Sequence, residues 1–224
     1  MNHKKTLTTH FGPYFIDLSP SLIIDHLSIN LESDINHFWG ENGVGKSTFL
    51  KFILEDLKAQ NTSFSYIDQN YRQSWLWWCS IEKNLMLATG TSRIKDLYNL
   101  SQICEQLHWL NRLIKVKLKD INLASEEYHD AYNLSGGQLQ KLILFREMLS
   151  KPKYMLLDEV FSALDQSTIA EIATWLLQEQ KKYKFKLISI SHNPMILDLL
   201  PGDVFNFSHK NDSRLQIHKK GFKN

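Results

Sequence analysis

Residues 40 to 48 read G-E-N-G-V-G-K-S-T, and they predict the fold because they match a phosphate-binding loop in full. The loop follows a short apolar run, Ile35 to Trp39, and precedes a segment with helical spacing, Thr48 to Leu57. Its glycines permit a tight bend in which backbone N–H groups converge on phosphate oxygens, at the positive end of the following helix. The predicted nucleotide-binding residues of the loop are Gly40, Glu41, Asn42, Gly43, Val44, Gly45, Lys46, Ser47 and Thr48.

Three side chains at the end of this loop carry its chemistry. We expect Lys46 to reach the β and γ phosphates of a nucleotide, and Ser47 to hold Mg²⁺ through its hydroxyl. Thr48 is placed to add a donor near the α phosphate. The loop therefore predicts a magnesium–nucleotide site.

Two further apolar runs end at polar residues. One is Tyr154 to Leu157, before Asp158, and the other is Phe185 to Ile190, before Ser191 and His192. Short runs separated by helix-length segments are typical of a buried parallel sheet, in which ligands bind at the carboxyl ends of the strands. The pattern indicates an α/β fold with its site at that edge.

Asp158 and Glu159 supply the second half of the predicted site. A carboxylate at a strand end beside a phosphate-binding loop is the usual second anchor for the metal, so we assign that role to Asp158. Glu159 is placed to polarise an attacking water. Exposed strand ends often carry acidic residues, so Asp158 and Glu159 alone are weak evidence for a site. The phosphate-binding loop beside them makes the assignment useful.

The middle of the chain has a different pattern. From Trp75 to Gln140 the apolar residues recur at helical spacing, which predicts a helical lobe at about 75–140 inserted into a core of about 1–72 and 141–208. The tail after Phe207 is polar and basic, and we expect it to be a solvated end.

Residues 133 to 138 read N-L-S-G-G-Q and resemble the signature motif of the ABC ATPase family. Physically, Ser135 and the two glycines open a predicted helix, Gln138 to Leu149, whose free N–H groups and dipole form a second anion site. The resemblance implies that ATP is contacted there by Ser135, Gly136, Gly137 and Gln138.

The resemblance covers nearly the whole chain and assigns further roles. Gln69, in Y-I-D-Q-N, looks like the Q-loop glutamine that touches Mg²⁺ and senses the nucleotide. Asp165, in S-A-L-D, lies in a stretch similar to the D-loop, which crosses to the other subunit, and the resemblance implies that Asp165 contacts the nucleotide. His192 looks like the switch histidine that contacts the γ phosphate. The implied catalytic residues are Glu159, His192 and Gln69, and the implied metal ligands are Ser47, Gln69 and Asp158.

The family's architecture implies partners for this chain. Two chains, identical or similar, would pair head to tail and sandwich two ATP molecules, each between one chain's phosphate-binding loop and the other's signature motif. Integral membrane transporter subunits would receive the motion, and the chain would be peripheral at the cytoplasmic face of the cell membrane. The expected fold is a P-loop NTPase α/β core with a mostly parallel sheet, a reduced antiparallel part and an inserted helical lobe.

Two departures from the family's pattern affect these expectations. Only 22 residues separate Lys46 from Gln69, which predicts a trimmed antiparallel part. The family stacks an aromatic ring on adenine from a loop near the N-terminus, and the expected place falls near Asp17 and Leu18. Tyr14 or Phe15 is the candidate substitute.

Composition weighs against other classes. A formal charge of +2 from 26 basic and 24 acidic side chains gives no basic excess for nucleic acid, so a soluble ABC-type ATPase acting on DNA or ribosomes is the second reading. An inactive binding module is disfavoured by Glu159 and His192. No segment approaches the ~18 to 20 apolar residues of a transmembrane helix, so membrane association would require a partner.

Half of the six tryptophans lie within four residues, at Trp75, Trp77 and Trp78. One reading is that they fill the joint between core and lobe, because Trp is largely buried on average. The other is that part of the cluster docks a helix of the membrane partner, which requires at least one exposed ring.

Overall fold

The structure is a computed structural model that describes residues 10–18, 22–77, 79, 83–85, 135–209 and 214–220. The strands are β1 (His10–Leu18), β2 (Leu22–Asn30), β3 (Ile35–Trp39), β4 (Phe64–Ile67), β5 (Tyr154–Asp158), β6 (Lys186–Ile190), β7 (Asp203–His209) and β8 (Leu215–Lys220). The helices are α1 (Lys46–Ala59), α2 (Gly136–Leu149), α3 (Gln166–Tyr183) and α4 (Pro194–Leu199), and a 3₁₀ turn spans Tyr71–Ser74.

A six-stranded sheet in the order β4-β5-β6-β3-β7-β8 forms the core. The five strands from β4 to β7 in this order are parallel, and β8 is antiparallel to β7. A separate antiparallel pair, β1 and β2, makes a second, small sheet. The mostly parallel sheet and the reduced antiparallel part are therefore confirmed.

The central strands are apolar because both of their faces are covered. All residues of β5 and of β6 are buried, and alternate residues face opposite sides of the sheet. Met155 and Leu157 join the hydrophobic cluster that contains residues of α2 and α3. Tyr154 and Leu156 join the cluster that contains residues of α1 and the small sheet.

The predicted strands appear close to their expected bounds, and the predicted helices are longer. The first helix begins at Lys46 rather than Thr48, and α2 begins at Gly136 rather than Gln138. Most of the predicted helical lobe lies outside the described residues, so its bounds stay a prediction. Within the ranges the structure covers, no helix is long and apolar enough to span a bilayer.

The expectation of a solvated tail after Phe207 is wrong. β7 continues to His209, and β8 pairs with it along its whole length. Leu215 is 3% exposed and Ile217 packs against the core. The sequence after Phe207 is largely polar because an edge strand buries only alternate residues, and the residues between them are hydrophilic.

Candidate nucleotide site

The predicted site lies where four parallel strands end. The segments that follow β3, β4, β5 and β6 carry, respectively, the phosphate-binding loop, Gln69, Glu159 and His192. Pairing of Phe38 and of Asp158 with Ile190 brings the ends of β3, β5 and β6 level. The sheet topology thus collects residues that are more than 100 positions apart in the sequence.

Backbone geometry explains two glycines of the loop. Gly40 has φ 149°, and a Cβ there would lie 2.3 Å from the carbonyl oxygen of Phe207 in β7. Gly45 has φ 102° and forms the N-cap of α1 without a side-chain cap. Because Gly45 contributes no capping side chain, the first N–H groups of α1 remain available to a phosphate. Glu41 and Asn42 are exposed on the outer part of the loop.

Lys46 lies inside the loop. Its side chain is 4% exposed, and Nζ donates to the carbonyl oxygens of Gly40 at 2.9 Å and of Glu41 at 2.7 Å. Burial lowers the pKa of Lys46, and the nearby carboxylates of Glu159 and Asp158 oppose that shift. The amine is therefore held inside the loop by two neutral carbonyl acceptors, which an anion would replace.

Ser47 and Asp158 form a pair of oxygen ligands. Ser47 Oγ donates to Asp158 Oδ1 at 3.0 Å, and the hydroxyl of Tyr66 lies 3.5 Å from Oδ2. Burial raises the pKa of Asp158, although the hydrogen bond from Ser47 lowers it. A cation beside this buried carboxylate would offset the cost of its desolvation.

This donor set fits Mg²⁺. The ion prefers hard oxygen ligands, usually one or two carboxylates together with phosphate oxygens and water. Across the described ranges, no three His, Cys, Asp or Glu side chains cluster in a way that could hold a metal ion alone. The hydroxyl and carboxylate pair therefore suits a metal that arrives with a nucleotide.

Glu159 and His192 face each other. Glu159 Oε1 lies 3.2 Å from His192 Nε2, and both side chains are partly exposed. Glu159 has φ 54°, a conformation that non-glycine residues rarely adopt. Its N–H donates to the carbonyl of Ile190 and its carbonyl accepts from Ser162 Oγ, which holds the backbone in this position.

An open cleft of about 680 Å³ borders the phosphate-binding loop. It is lined by residues 40–44 of the loop, by Trp39 and His192, and by the end of β7. The rings of Trp39 and His192 are 6.4 Å apart between centroids. The phosphate-binding loop and His192 therefore line the same solvent-filled cleft.

Gln69 and Asp165 occupy different surroundings. Gln69 is exposed, two residues beyond the end of β4 and beside the end of β5. Asp165 is the N-cap of α3, where its carboxylate accepts from the N–H of Thr168 at 2.9 Å and from its hydroxyl at 2.7 Å. The capping function of Asp165 was not foreseen, and its contact with nucleotide stays a prediction.

The segment that resembles the signature motif begins α2 with a capping box. Ser135 Oγ accepts from the N–H of Gln138 at 3.2 Å, and Gln138 Oε1 accepts from the N–H of Ser135 at 3.0 Å. Gly137 packs on α3, since a Cβ there would lie 3.3 Å from a methyl of Thr168. No hydrogen bond among the described residues joins this segment to the phosphate-binding loop of the same chain.

Tyr14, one of the two aromatic candidates for adenine, packs against α1. Tyr14 stacks on Phe52 at 5.0 Å, lies edge-on to Phe49 at 5.2 Å, and its hydroxyl donates to Asp56, all in α1. These contacts hold the ring against α1, and its stacking on adenine stays a prediction. The side chain of Phe15 lies outside the described part of the structure.

The tryptophans divide between the two readings. Trp75 is 1% exposed and lies in the hydrophobic cluster with α2, so the docking reading is wrong for this ring. Trp77 is half-buried and packs against the same cluster. Trp78 lies outside the described residues. Docking stays a prediction for Trp77 and Trp78.

Sequence reasoning missed Tyr66, Arg146 and Trp39. The signal for Tyr66 was its position two residues before Asp68 at the end of an unrecognised strand, β4. Arg146 holds the 3₁₀ turn to α2. Trp39 immediately precedes the loop, and its place in an apolar run concealed its contact with His192.

Fold and site together define a phosphate-loop nucleotide-binding protein. A family model described as ABC transporter matches residues 25–162. The chain is 30% identical over 184 residues to the probable peptide export ATP-binding protein YydI of Bacillus subtilis, covering 79% of this chain and 78% of the relative. The chain therefore belongs to the ABC transporter family.

Two other comparisons extend this result. The sulfate/thiosulfate import ATP-binding protein CysA 2 of Shewanella oneidensis is 24% identical over 209 residues, and the match spans 85% of this chain but only 54% of that relative. The dimeric structure of a bacterial ABC transporter cassette superposes with a TM-score of 0.64 at 16% identity, covering 91% of both chains. At that identity the superposition shows the fold alone.

Proposed function

We propose that this chain is the ATP-hydrolysing subunit of an ABC transporter, which couples MgATP binding and hydrolysis to transport through separate membrane subunits. The observation that carries the proposal is the convergence of Lys46, Ser47, Asp158, Glu159 and His192 at one edge of the sheet. The names of the relatives support it, because both are ATP-binding proteins, one of an export and one of an import system.

Each of these residues has a task in the proposed reaction. Lys46 exchanges the carbonyls of Gly40 and Glu41 for the oxygens of the terminal phosphates, and the loop N–H groups bind the same phosphates. Ser47 and Asp158 would hold Mg²⁺, which supplies neutralisation of the charge that develops on the phosphates.

Glu159 and His192 act at the far end of the phosphate chain. The Glu159 carboxylate accepts a hydrogen bond from the attacking water and orients it towards the γ phosphorus. His192, 3.2 Å from that carboxylate, holds Glu159 in place and donates towards a γ-phosphate oxygen. Removing either group would lower the rate of hydrolysis more than the affinity for ATP.

Two chains form the complete site in this proposal. The side-chain atoms closest to Gly136 and Gly137 belong to Arg72, Leu164 and Thr168, and none of the hydrogen bonds among the described residues joins the signature segment to the phosphate-binding loop. A second copy, placed head to tail, would bring its Ser135 and Gly137 to the open side of the loop. The dimeric ABC cassette with the same fold supports this arrangement. The closed dimer would open when the γ phosphate leaves.

The chain would act at the cytoplasmic face of the cell membrane as a peripheral subunit. The membrane subunits would contact the region after Gln69, where Trp77 is half-buried. Substrate selectivity would belong to those subunits.

Phosphate release from MgATP by the purified chain tests the proposal. We expect Glu159→Gln to abolish turnover while it keeps nucleotide affinity within about threefold, because the amide preserves shape but loses the carboxylate charge. Glu55→Gln changes an exposed carboxylate of α1 that pairs with Lys58. It is the matched control and should hydrolyse ATP at the wild-type rate. Undiminished hydrolysis in Glu159→Gln would remove Glu159 from the reaction.

A further inference from the structure

Arg72 lies against the segment that resembles the signature motif. Its side chain is exposed in the 3₁₀ turn after Gln69, and a Cβ added to Gly136 would lie 3.2 Å from Arg72 Nη2. Within the described ranges the guanidinium has neither a hydrogen bond nor an ion pair. A cation therefore stands beside the start of α2, in the space that a side chain at Gly136 would fill.

The turn that carries Arg72 is fixed to the same helix. Arg146, in α2, donates from Nη1 to the carbonyl of Ser74 at 2.6 Å and from Nη2 to its hydroxyl at 2.9 Å. The Arg146 guanidinium also lies 5.8 Å from the ring centroid of Trp75, which is buried beneath the turn. Arg72 and the start of α2 should therefore move as one unit.

Nearby charges leave Arg72 available. Glu147, in α2, is paired with Arg146 at 2.8 Å. Asp165, which caps α3 beside Gly137, uses its carboxylate on Thr168 and Ser167. Neither acid forms an ion pair with Arg72.

We propose that Arg72 binds a phosphate group of the ATP held by the phosphate-binding loop of the second copy in the dimer. The inference rests on the sandwich arrangement of the proposed function. Arginine suits this task because its planar fork offers several N–H donors to phosphate oxygens and stays charged at every working pH. Gly136 carries no side chain, which leaves room for the guanidinium and the phosphate beside the first N–H groups of α2.

Complementation between two variants tests whether Arg72 acts on the partner's nucleotide. Both proteins carry Glu159→Gln so that bound ATP persists, and they bear different affinity tags. One also carries Lys46→Ala and the other Arg72→Ala. In the mixed dimer, one site combines the intact Lys46 of one chain with the intact Arg72 of the other, and the second site lacks both.

We expect each variant alone to retain little ATP, with the concentration for half-occupancy raised on the order of tenfold or more by Arg72→Ala. The mixed dimer, purified through both tags, should retain one ATP per dimer. If no mixed dimer with bound ATP is recovered, Arg72 acts on its own chain's nucleotide. Two ATP per dimer in Arg72→Ala alone would likewise overturn the inference.

Two controls separate this inference from the sandwich itself. Mixing Lys46→Ala with Ser135→Glu, which sets a negative charge against the partner's phosphate, should restore one ATP per dimer if the sandwich holds. Success of that pair with failure of the Arg72 pair overturns the Arg72 inference alone, and failure of both overturns the sandwich. Lys181→Ala, which removes an exposed cation from the far end of α3, should retain two ATP per dimer.

Discussion

At the scale of single residues, the site depends on groups that are costly to bury without a partner. Lys46 and Asp158 are 4% and 5% exposed, and burial disfavours the charged form of each. In the proposed site, a nucleotide with its metal ion would supply counter-charges to both residues.

Lys46→Ala should weaken MgATP binding by at least about tenfold, because the mutant leaves the terminal phosphates without a charge-assisted donor inside the loop. Isothermal titration with MgATP measures the change. Lys51→Ala removes an exposed lysine from the second turn of α1 and should bind as the wild type does. Equal affinities for the two variants would place the nucleotide elsewhere.

Many of these residues could be predicted from the sequence because they lie in motifs with known chemistry. Contacts between distant segments could not be predicted in this way. The spacing of Lys46, Ser47, Asp158 and Glu159 is a local pattern beside two apolar runs. The hydroxyl of Tyr66 near Asp158 and the approach of Arg72 to Gly136 depend on which strands pair and which helix a turn packs against.

At the scale of secondary structure elements, burial pattern decided what could be predicted. The apolar runs of β3, β5 and β6 were recognisable because strands covered on both faces are continuously apolar. β8 lies at the edge of the sheet and its apolar residues alternate with hydrophilic ones, so the sequence after Phe207 looked like a tail. β4 has only four residues, too few for a periodic signal.

β3 also carries a buried histidine that couples stability to pH. His37 is 1% exposed, and its Nε2 lies 2.7 Å from the carbonyl oxygen of Leu200. Burial lowers the pKa of His37 below its usual 6.5. As the pH falls through about 6.5, His37 of the unfolded chain becomes protonated, whereas His37 of the folded chain stays neutral. The contribution of the neutral, buried His37 to the free energy of unfolding is therefore complete above that pH and is lost as the pH falls below it.

We expect His37→Gln to reduce this pH dependence, because glutamine can donate to the same carbonyl without titrating. Urea unfolding at pH 7.5 and pH 5.5 gives the free energies of unfolding of both proteins. The difference in free energy of unfolding between the wild type and His37→Gln should be smaller at pH 5.5 than at pH 7.5. If the free energy of unfolding falls equally in the two proteins between pH 7.5 and pH 5.5, His37 is not the titrating group.

At the scale of the whole molecule, the phosphate-binding loop and the signature segment lie in different parts of the structure. The phosphate-binding loop and its carboxylates lie at the carboxyl edge of the sheet, and the signature segment contacts α3 and the 3₁₀ turn instead. Arg146 links that turn, which follows Gln69 in the sequence, to α2. Two copies of the chain would place each half against the other.

The most direct test of the account is the state of Glu159→Gln with MgATP, measured by size-exclusion chromatography with light scattering and by counting bound nucleotide. The account predicts a dimer of twice the mass of one chain that holds two ATP, whereas the same protein without nucleotide remains a monomer. A monomer that binds one ATP with undiminished affinity would contradict the sandwich on which the proposed function depends.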